Sequence, residues 1–256
     1  MNHKPFGLAM GPGAMRGLAH IGVLQVLEEN GFKPSYIAGN SIGSLVGGLY
    51  VSGISPKDMQ RTCLMINSRH MYDISGPKLT GLMSGSRLQG LVQTLTHSVN
   101  IEDACLPYGA AVVDLVEGEL MYITRGPLYM AVRASCSIPG FFTPVKQDGH
   151  MLVDGGTLVG VPADLCRKLG AETVIGVDVS AVGHGSQPAN AVDVLIRALM
   201  LTQHELYLNK HCPADLMLTP DVADCHALKW TTPTLTIQKG RDCAEQALPD
   251  IEKLLR

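Results

Sequence analysis

An α/β fold, with a mostly parallel central sheet between helical layers, is predicted by three features of this sequence. Short apolar runs alternate with stretches of helical periodicity, the glycine-rich connections between them are short, and Ser35 to Pro56 contains no charged residue. A β-α-β-α succession with short links implies parallel strands, and parallel strands need helices over their faces. Phe6–Met10 is short and apolar, is bounded by Gly11-Pro12-Gly13, and fits a buried strand. Leu18, Ile21, Leu24 and Leu27 then recur at helical spacing, with Glu28 and Glu29 on the polar side and Gly31 placed to end the helix. Tyr36-Ile37-Ala38 predicts a second strand, and Ile42–Val51 an apolar helix.

Farther along, Ala110–Val113 and Leu120–Ile123 flank Gly118 as a hairpin-like pair. Met151–Val153, the helical run Ala163–Leu169 closed by Gly170, and Thr173–Val177 form another strand-helix-strand passage. Ala191–Leu208 and Cys243–Leu255 read as later helices. The segment 54–107, with Met59, Met65, Met71 and Met83, has the weakest pattern. It reads either as a cap over a pocket, where methionines suit flexible apolar ligands, or as irregular core filling. With no repeat and no convincing linker, residues 1–256 are expected to form one domain.

Composition narrows the function. The chain has 256 residues, 28 of them glycine, with 17% charged residues and a formal net charge of −3. The charged share lies below the roughly 25% usual for globular proteins, and glycine above its usual ~7%. Neither disorder nor coiled coil fits, and the near-neutral balance argues against binding nucleic acid by phosphate neutralisation. Seven scattered cysteines without a CxxC read as reduced thiols of a cytoplasmic protein, neither a disulfide frame nor a metal site. The start of the chain lacks the apolar stretch of a secretory signal. The uncharged run is long enough to suggest a membrane span, but Asn40, Ser41, Ser44, Ser52, Ser55 and five glycines mark it as protein interior.

Three segments could carry chemistry. Gly39-Asn40-Ser41-Ile42-Gly43 is a G-x-S-x-G between an expected strand and helix, where a sharp turn exposes the serine hydroxyl. The plainer reading is a glycine-serine turn in a packed connection. Gly11-Pro12-Gly13-Ala14-Met15-Arg16-Gly17 also links strand to helix and reads as an anion cradle. Pro12 lacks an N–H, which leaves Gly13 and Ala14 as the better donors. A dinucleotide-binding loop is the rival, but it calls for an acidic residue at the end of the second strand, where Ala38-Gly39-Asn40-Ser41 stands instead. Asp154-Gly155-Gly156 follows an apolar run and by itself suits a hairpin turn, which can also present its aspartate to a cleft. A serine at an elbow needs a base and oxyanion donors, and these segments could supply them from one sheet edge.

Together the segments resemble the patatin-like phospholipase family, its bacterial members in particular. The likeness runs from the first strand to about Ser180 and includes Arg16-Gly17-Leu18-Ala19-His20-Ile21-Gly22-Val23-Leu24. It also takes in Ala131-Val132-Arg133-Ala134-Ser135-Cys136-Ser137-Ile138-Pro139-Gly140, Val153-Asp154-Gly155-Gly156, and Leu169-Gly170-Ala171 before Val174-Ile175-Gly176-Val177-Asp178. The resemblance implies a three-layer α/β/α fold and a Ser-Asp dyad without histidine. Carried over, Ser41 is the nucleophile, Asp154 the base, and Gly13 and Ala14 the oxyanion donors. Arg16 matches the family's basic loop residue, with an anion-binding or structural role. Pro12 and Ala14 stand where the family usually has glycines, and Gly160 where many members have Asn.

A Ser-His-Asp arrangement is the competing chemistry, since His184, His204, His211 and His226 all follow Asp154. None lies in a recognisable motif. His204 and His211 would sit about 10.5 Å apart along a helix, too far to share a metal. His20 is expected to pack against the sheet, and Asp178 to serve a cap or loop. The expected protein is thus a serine acyl hydrolase of lipid or acyl esters, with no cofactor, no metal and no nucleic-acid partner, making peripheral membrane contact. A catalytically silent lipid- or partner-binding member of the same fold is the alternative.

Overall fold

The computed structural model describes residues 3–66, 73, 80–180, 187, 191–209, 214–226, 230 and 232–256. Alternation along the first strand sets the layers. In β1 (Gly7–Met10), Leu8 and Met10 enter one core and Ala9 the other. The larger core lies under α1 (Ala19–Glu29) and α2 (Ile42–Val51), and buries Leu8, Met10, Ile37 and Tyr108 among their apolar residues. The smaller lies on the opposite face, where Leu165 and Cys166 of the short helix Ala163–Lys168 pack on Ala9, Ala38 and Val174. Helices thus cover both faces of a central sheet, as expected of a three-layer α/β/α fold.

The sheet has a parallel half and an antiparallel half. Strands β2 (Tyr36–Asn40) and β4 (Tyr108–Asp114) lie on one side of β1, and β9 (Val174–Val177) and β10 (Leu216–Leu218) on the other. These five run parallel. Beyond them, β8 (His150–Asp154) runs antiparallel to β4, and β7 (Val145–Gln147) antiparallel to β8. Strand β5 (Glu119–Ile123) returns antiparallel on β4 after a turn at Gly118, whose φ is +73°. Two further strands, β3 (Gly81–Met83) and β6 (Gly140–Phe142), form a separate parallel pair.

The expected helix ends hold where glycine is needed. Gly31 and Gly170 follow the helices ending at Glu29 and Lys168 with φ of +80° and +114°. The last helix corrects the sequence reading. It begins at Pro233 and runs to Leu255, ten residues before the expected Cys243. Gly240 obscures it, because glycine is a poor helix former and the flanking Lys239 and Arg241 interrupt the apolar pattern. Its place is dictated by close approach. A Cβ on Gly240 would lie 1.9 Å from the Ala19 carbonyl oxygen, and one on Gly22 2.0 Å from that of Ile237. The two helices therefore cross glycine to glycine.

Within segment 54–107, α3 (Pro56–Met65) and α4 (Ser86–Leu95) are helical. Residues 67–72 and 74–79, Met71 among them, lie outside the described residues, as do His184, His211 and Cys212. Cys63, Cys136, Cys166 and Cys225 are buried free thiols, Cys243 is half-buried and Cys105 is exposed. Among the described residues, no helix is long and apolar enough to cross a membrane.

Candidate active site

Strand register brings the serine and the aspartate together. Asn40, the last residue of β2, pairs with Ala111 of β4, and Asp154, the last of β8, pairs with the adjacent Val112. Because β8 runs against β2, the two strands end facing one another. A Cβ on Gly155 would lie 2.6 Å from the Ala111 oxygen and 2.8 Å from Asn40 Oδ1, so only glycine fits between them.

Ser41 follows β2 directly, with φ 54° and ψ −125°. A side-chain-bearing residue rarely adopts this conformation, which costs about 1–3 kcal/mol and persists only where the surroundings impose it. The imposition is visible. Ser41 N donates to Ser135 Oγ (2.9 Å), and that hydroxyl donates to the Ala111 oxygen (2.7 Å). The Ser41 carbonyl accepts from Ser44 N (2.9 Å) and Ser44 Oγ (2.7 Å). A Cβ on Gly43 would lie 2.2 Å from the Met10 oxygen, and one on Gly39 2.3 Å from the Ser44 Cα. Both glycines of the G-x-S-x-G are therefore needed for close packing around a strained strand-to-helix turn.

Asp154 is 3% exposed. Its amide donates to the Ser137 carbonyl (3.0 Å), and its Oδ1 accepts from the Gly156 amide (2.8 Å). Burial pushes its carboxyl pKa up to about 6, against the opposing pull of hydrogen bonds from Ser41 and Gly156. The loop after it is tied down by Asn40, whose Nδ2 donates to the carbonyls of Val159 (2.7 Å) and Gly160 (3.0 Å). Gly160 contributes only its backbone carbonyl to this contact, and Asn40 supplies the side chain.

The glycine loop forms the third wall. Gly13 is extended, and a Cβ on it would lie 2.7 Å from the Val179 oxygen. Ala14 has φ +50°, a conformation that suits the glycine usual in the family. Among the described residues, no hydrogen bond within the chain takes up the amide of either. Both line a cavity of about 400 Å³, open solvent included, together with Ser41, Asp154, Thr157 and Gln203.

Arg16 does not line that cavity. It is buried, and its guanidinium donates to the carbonyls of Cys225 (2.9 Å) and Ala223 (3.3 Å). His20 is wholly buried beneath the loop, with Nε2 2.9 Å from the Gly11 oxygen. Burial holds its imidazole neutral by lowering its pKa to about 4. Asp178 accepts from the Ser180 amide (2.9 Å), a loop role. Among the described residues, no histidine lines the cavity. Sequence reasoning assigned no role to Ser135, Ser137 or Asn40. The serines lay in plain view within the stretch 131–138, between apolar residues.

A sequence profile of the patatin-like phospholipase family matches residues 8–167. The chain belongs to the patatin-like phospholipase family. It is 36% identical over 186 residues to a patatin-like phospholipase domain-containing protein of Caenorhabditis elegans, covering 69% of this chain and 14% of the relative. An uncharacterized NTE family protein of Mycobacterium bovis is 33% identical over 198 residues, covering 77% of this chain and 54% of the relative. The human patatin-like phospholipase domain-containing protein 6 is 35% identical over 182 residues, covering 68% and 13%. The chain thus spans from about one eighth to about half the length of these relatives. The fold is shared with VipD from Legionella pneumophila, with TM-score 0.71 and 13% identity, covering 98% of this chain and 67% of that one. ExoU in its heterodimeric complex with SpcU from Pseudomonas aeruginosa is also similar, with TM-score 0.57 and 13% identity, covering 99% and 53%.

Proposed function

We propose that this protein is a serine acyl hydrolase of lipid esters, working through an acyl-enzyme on Ser41 with Asp154 as its base. The observation that carries the reading is a strained elbow serine in hydrogen-bond reach of a buried carboxyl whose pKa is raised to about 6. Such a carboxylate is ionised at neutral pH yet basic enough to accept a hydroxyl proton. Ser41 Oγ attacks the ester carbonyl carbon as its proton passes to Asp154. The oxyanion forms against the amides of Gly13 and Ala14. Collapse of the tetrahedral species expels the alcohol, which takes the proton from Asp154. Water then attacks the acyl carbonyl by the same route in reverse, releasing the acid and restoring Ser41.

In this reading Arg16 is structural, residues 1–256 act as one domain, and the protein meets its lipid at a membrane surface from the cytoplasmic side. The Ser41→Ala variant should lose ester hydrolysis and covalent labelling by a fluorophosphonate. Wild-type labelling or turnover in a folded Ser41→Ala protein would overturn the assignment. Labelled wild type that hydrolyses no short ester, lysophospholipid or phospholipid would favour a silent binding protein instead.

A further inference from the structure

Ser41 lines two cavities, and Asp154 lines only one of them. The first is the cavity described above. The second, about 450 Å³ with open solvent included, is walled by Ser41 and Ala14 and by apolar side chains, among them Ile42, Leu45, Leu88 and Phe142. A third cavity of about 550 Å³ on the same measure lies farther along α2. Ile42 and Leu45 belong to its lining as well, and Leu49, Met59, Cys63 and Trp230 close it on the far side. Residues 42, 45 and 49 follow one face of α2 at helical spacing, so the wall that begins beside Ser41 as Ile42 and Leu45, shared by both cavities, ends at Leu49 about 12 Å along the helix.

We propose that the second and third cavities form one site for a single long acyl chain, with Ile42 and Leu45 as the partition that the chain passes. The proposal rests on Ser41 being the acyl acceptor. Proton bookkeeping then orients the ester. The departing alcohol must receive its proton from Asp154, so it occupies the cavity that Asp154 lines. The acyl chain takes the other side, where Ser41 and the Ala14 amide are present and the walls are apolar. Both chambers are narrow, so a chain enters by moving flexible side chains, of which the buried Met59 is the most adaptable. The distal chamber offers no reactive group, since burial pushes the Cys63 thiol pKa up to about 12.

The residues invite a direct test, because Trp230 is the only tryptophan in the chain. Its Nε1 donates to the Cys63 carbonyl (3.1 Å), which places the indole in the distal chamber. Hexadecanoate should shift Trp230 emission in the wild-type protein and in Ser41→Ala, and butyrate should not. Equal responses to both acids, or none to hexadecanoate, would overturn the proposal whatever the catalytic outcome. In turnover, kcat/KM for 4-nitrophenyl esters should rise by about two- to fourfold for each methylene that enters the chambers. Leu49→Phe and Leu95→Phe, both in the distal wall, should lower the ratio of hexadecanoyl to butyryl kcat/KM about tenfold. A cooperative unfolding midpoint close to the wild-type value reports that each variant has folded. A parallel fall for both esters in both variants, or no change for the long one, would count against a shared chamber. Failure of the wild type on every ester would defeat the proposed function and leave Trp230 emission to decide the binding site.

Discussion

Two buried carboxylates sit two residues apart in register on the same pair of strands, and the protein treats them in opposite ways. Asp114 of β4 pairs with Leu152 of β8, while Asp154 of β8 pairs with Val112 of β4. Asp114 is held by the His150 ring (2.6 Å) and by the amides of Val116 and Met151 (3.0 Å each). The hydrogen bond from His150 leads in lowering its pKa to about 2, helped by the two amides. Although its side chain has no exposed surface, the His150 ring above it is 41% exposed, so the pair is close to water. Asp154 has one backbone donor and the Ser41 hydroxyl, and burial prevails. The difference lies in the depth of burial and in the number of donors. A carboxylate with its hydrogen bonds filled is structural, while one left short of donors is free to take a proton.

The largest expected effect would break this comparison outright. Asp154→Asn should lower kcat for a short ester by about 10³ or more, within the range of a lost general base. Asp114→Asn should leave kcat within a few-fold and lower the unfolding midpoint instead. Comparable losses of activity in both variants would show that the distinction is not functional.

The two groups should also differ in sign with pH. Wild-type kcat/KM should fall about tenfold per pH unit below about pH 6, as Asp154 takes up its proton. Its folded pKa lies above the ordinary 3.8, so the folded state holds the proton more tightly than the unfolded chain does. Its contribution to stability is therefore fully present below about pH 4 and lost as pH rises through 6. At pH 8, Asp154→Asn should be more stable than wild type by on the order of 3 kcal/mol, with the gain shrinking toward pH 5. Asp114 runs the other way, with stability present above about pH 4 and lost as pH falls toward 2. His150 is raised above 6.5, so its share is present below that value and lost as pH rises through the folded one. Denaturation curves of the variants at pH 2.5, pH 5 and pH 8 measure both signs, the lowest pair of values reporting Asp114 and the highest Asp154.

The smallest effect concerns strain. Ala14→Gly should relieve the positive φ and keep the amide donor. It should raise stability by less than about 1 kcal/mol, because glycine also gains freedom in the unfolded chain. Unfolding midpoints and short-ester kcat/KM would show a small gain with activity retained. A large loss of turnover would mean that the Ala14 methyl contributes to the site.

Much of the candidate site was legible because its backbone can be built only with particular residues. Gly39 and Gly43 bracket a serine at a turn that packs against other backbone, and Gly155 lies where a Cβ would strike Ala111 and Asn40. These requirements leave marks on the chain itself. The role of Ser135 left no comparable mark, since its hydroxyl bridges Ser41 N to the Ala111 oxygen across segments 94 and 24 residues away. Nor did the start of the last helix, where Gly240 weakens the local pattern and is explained only by its contact with α1.

By itself the sequence determined the α/β alternation, the elbow, the glycine loop and the acidic turn, because periodicity and backbone sterics are local. The tertiary structure decided that β8 runs against β2, so that Asp154 arrives at Ser41 head-on from the next position along β4. It also decided that one buried aspartate is held ionised by its donors while the other is left basic, and that Arg16 turns inward to carbonyls. Strand direction, donor counts and burial are properties of segments brought together from far apart in the chain, and no short window of residues contains them.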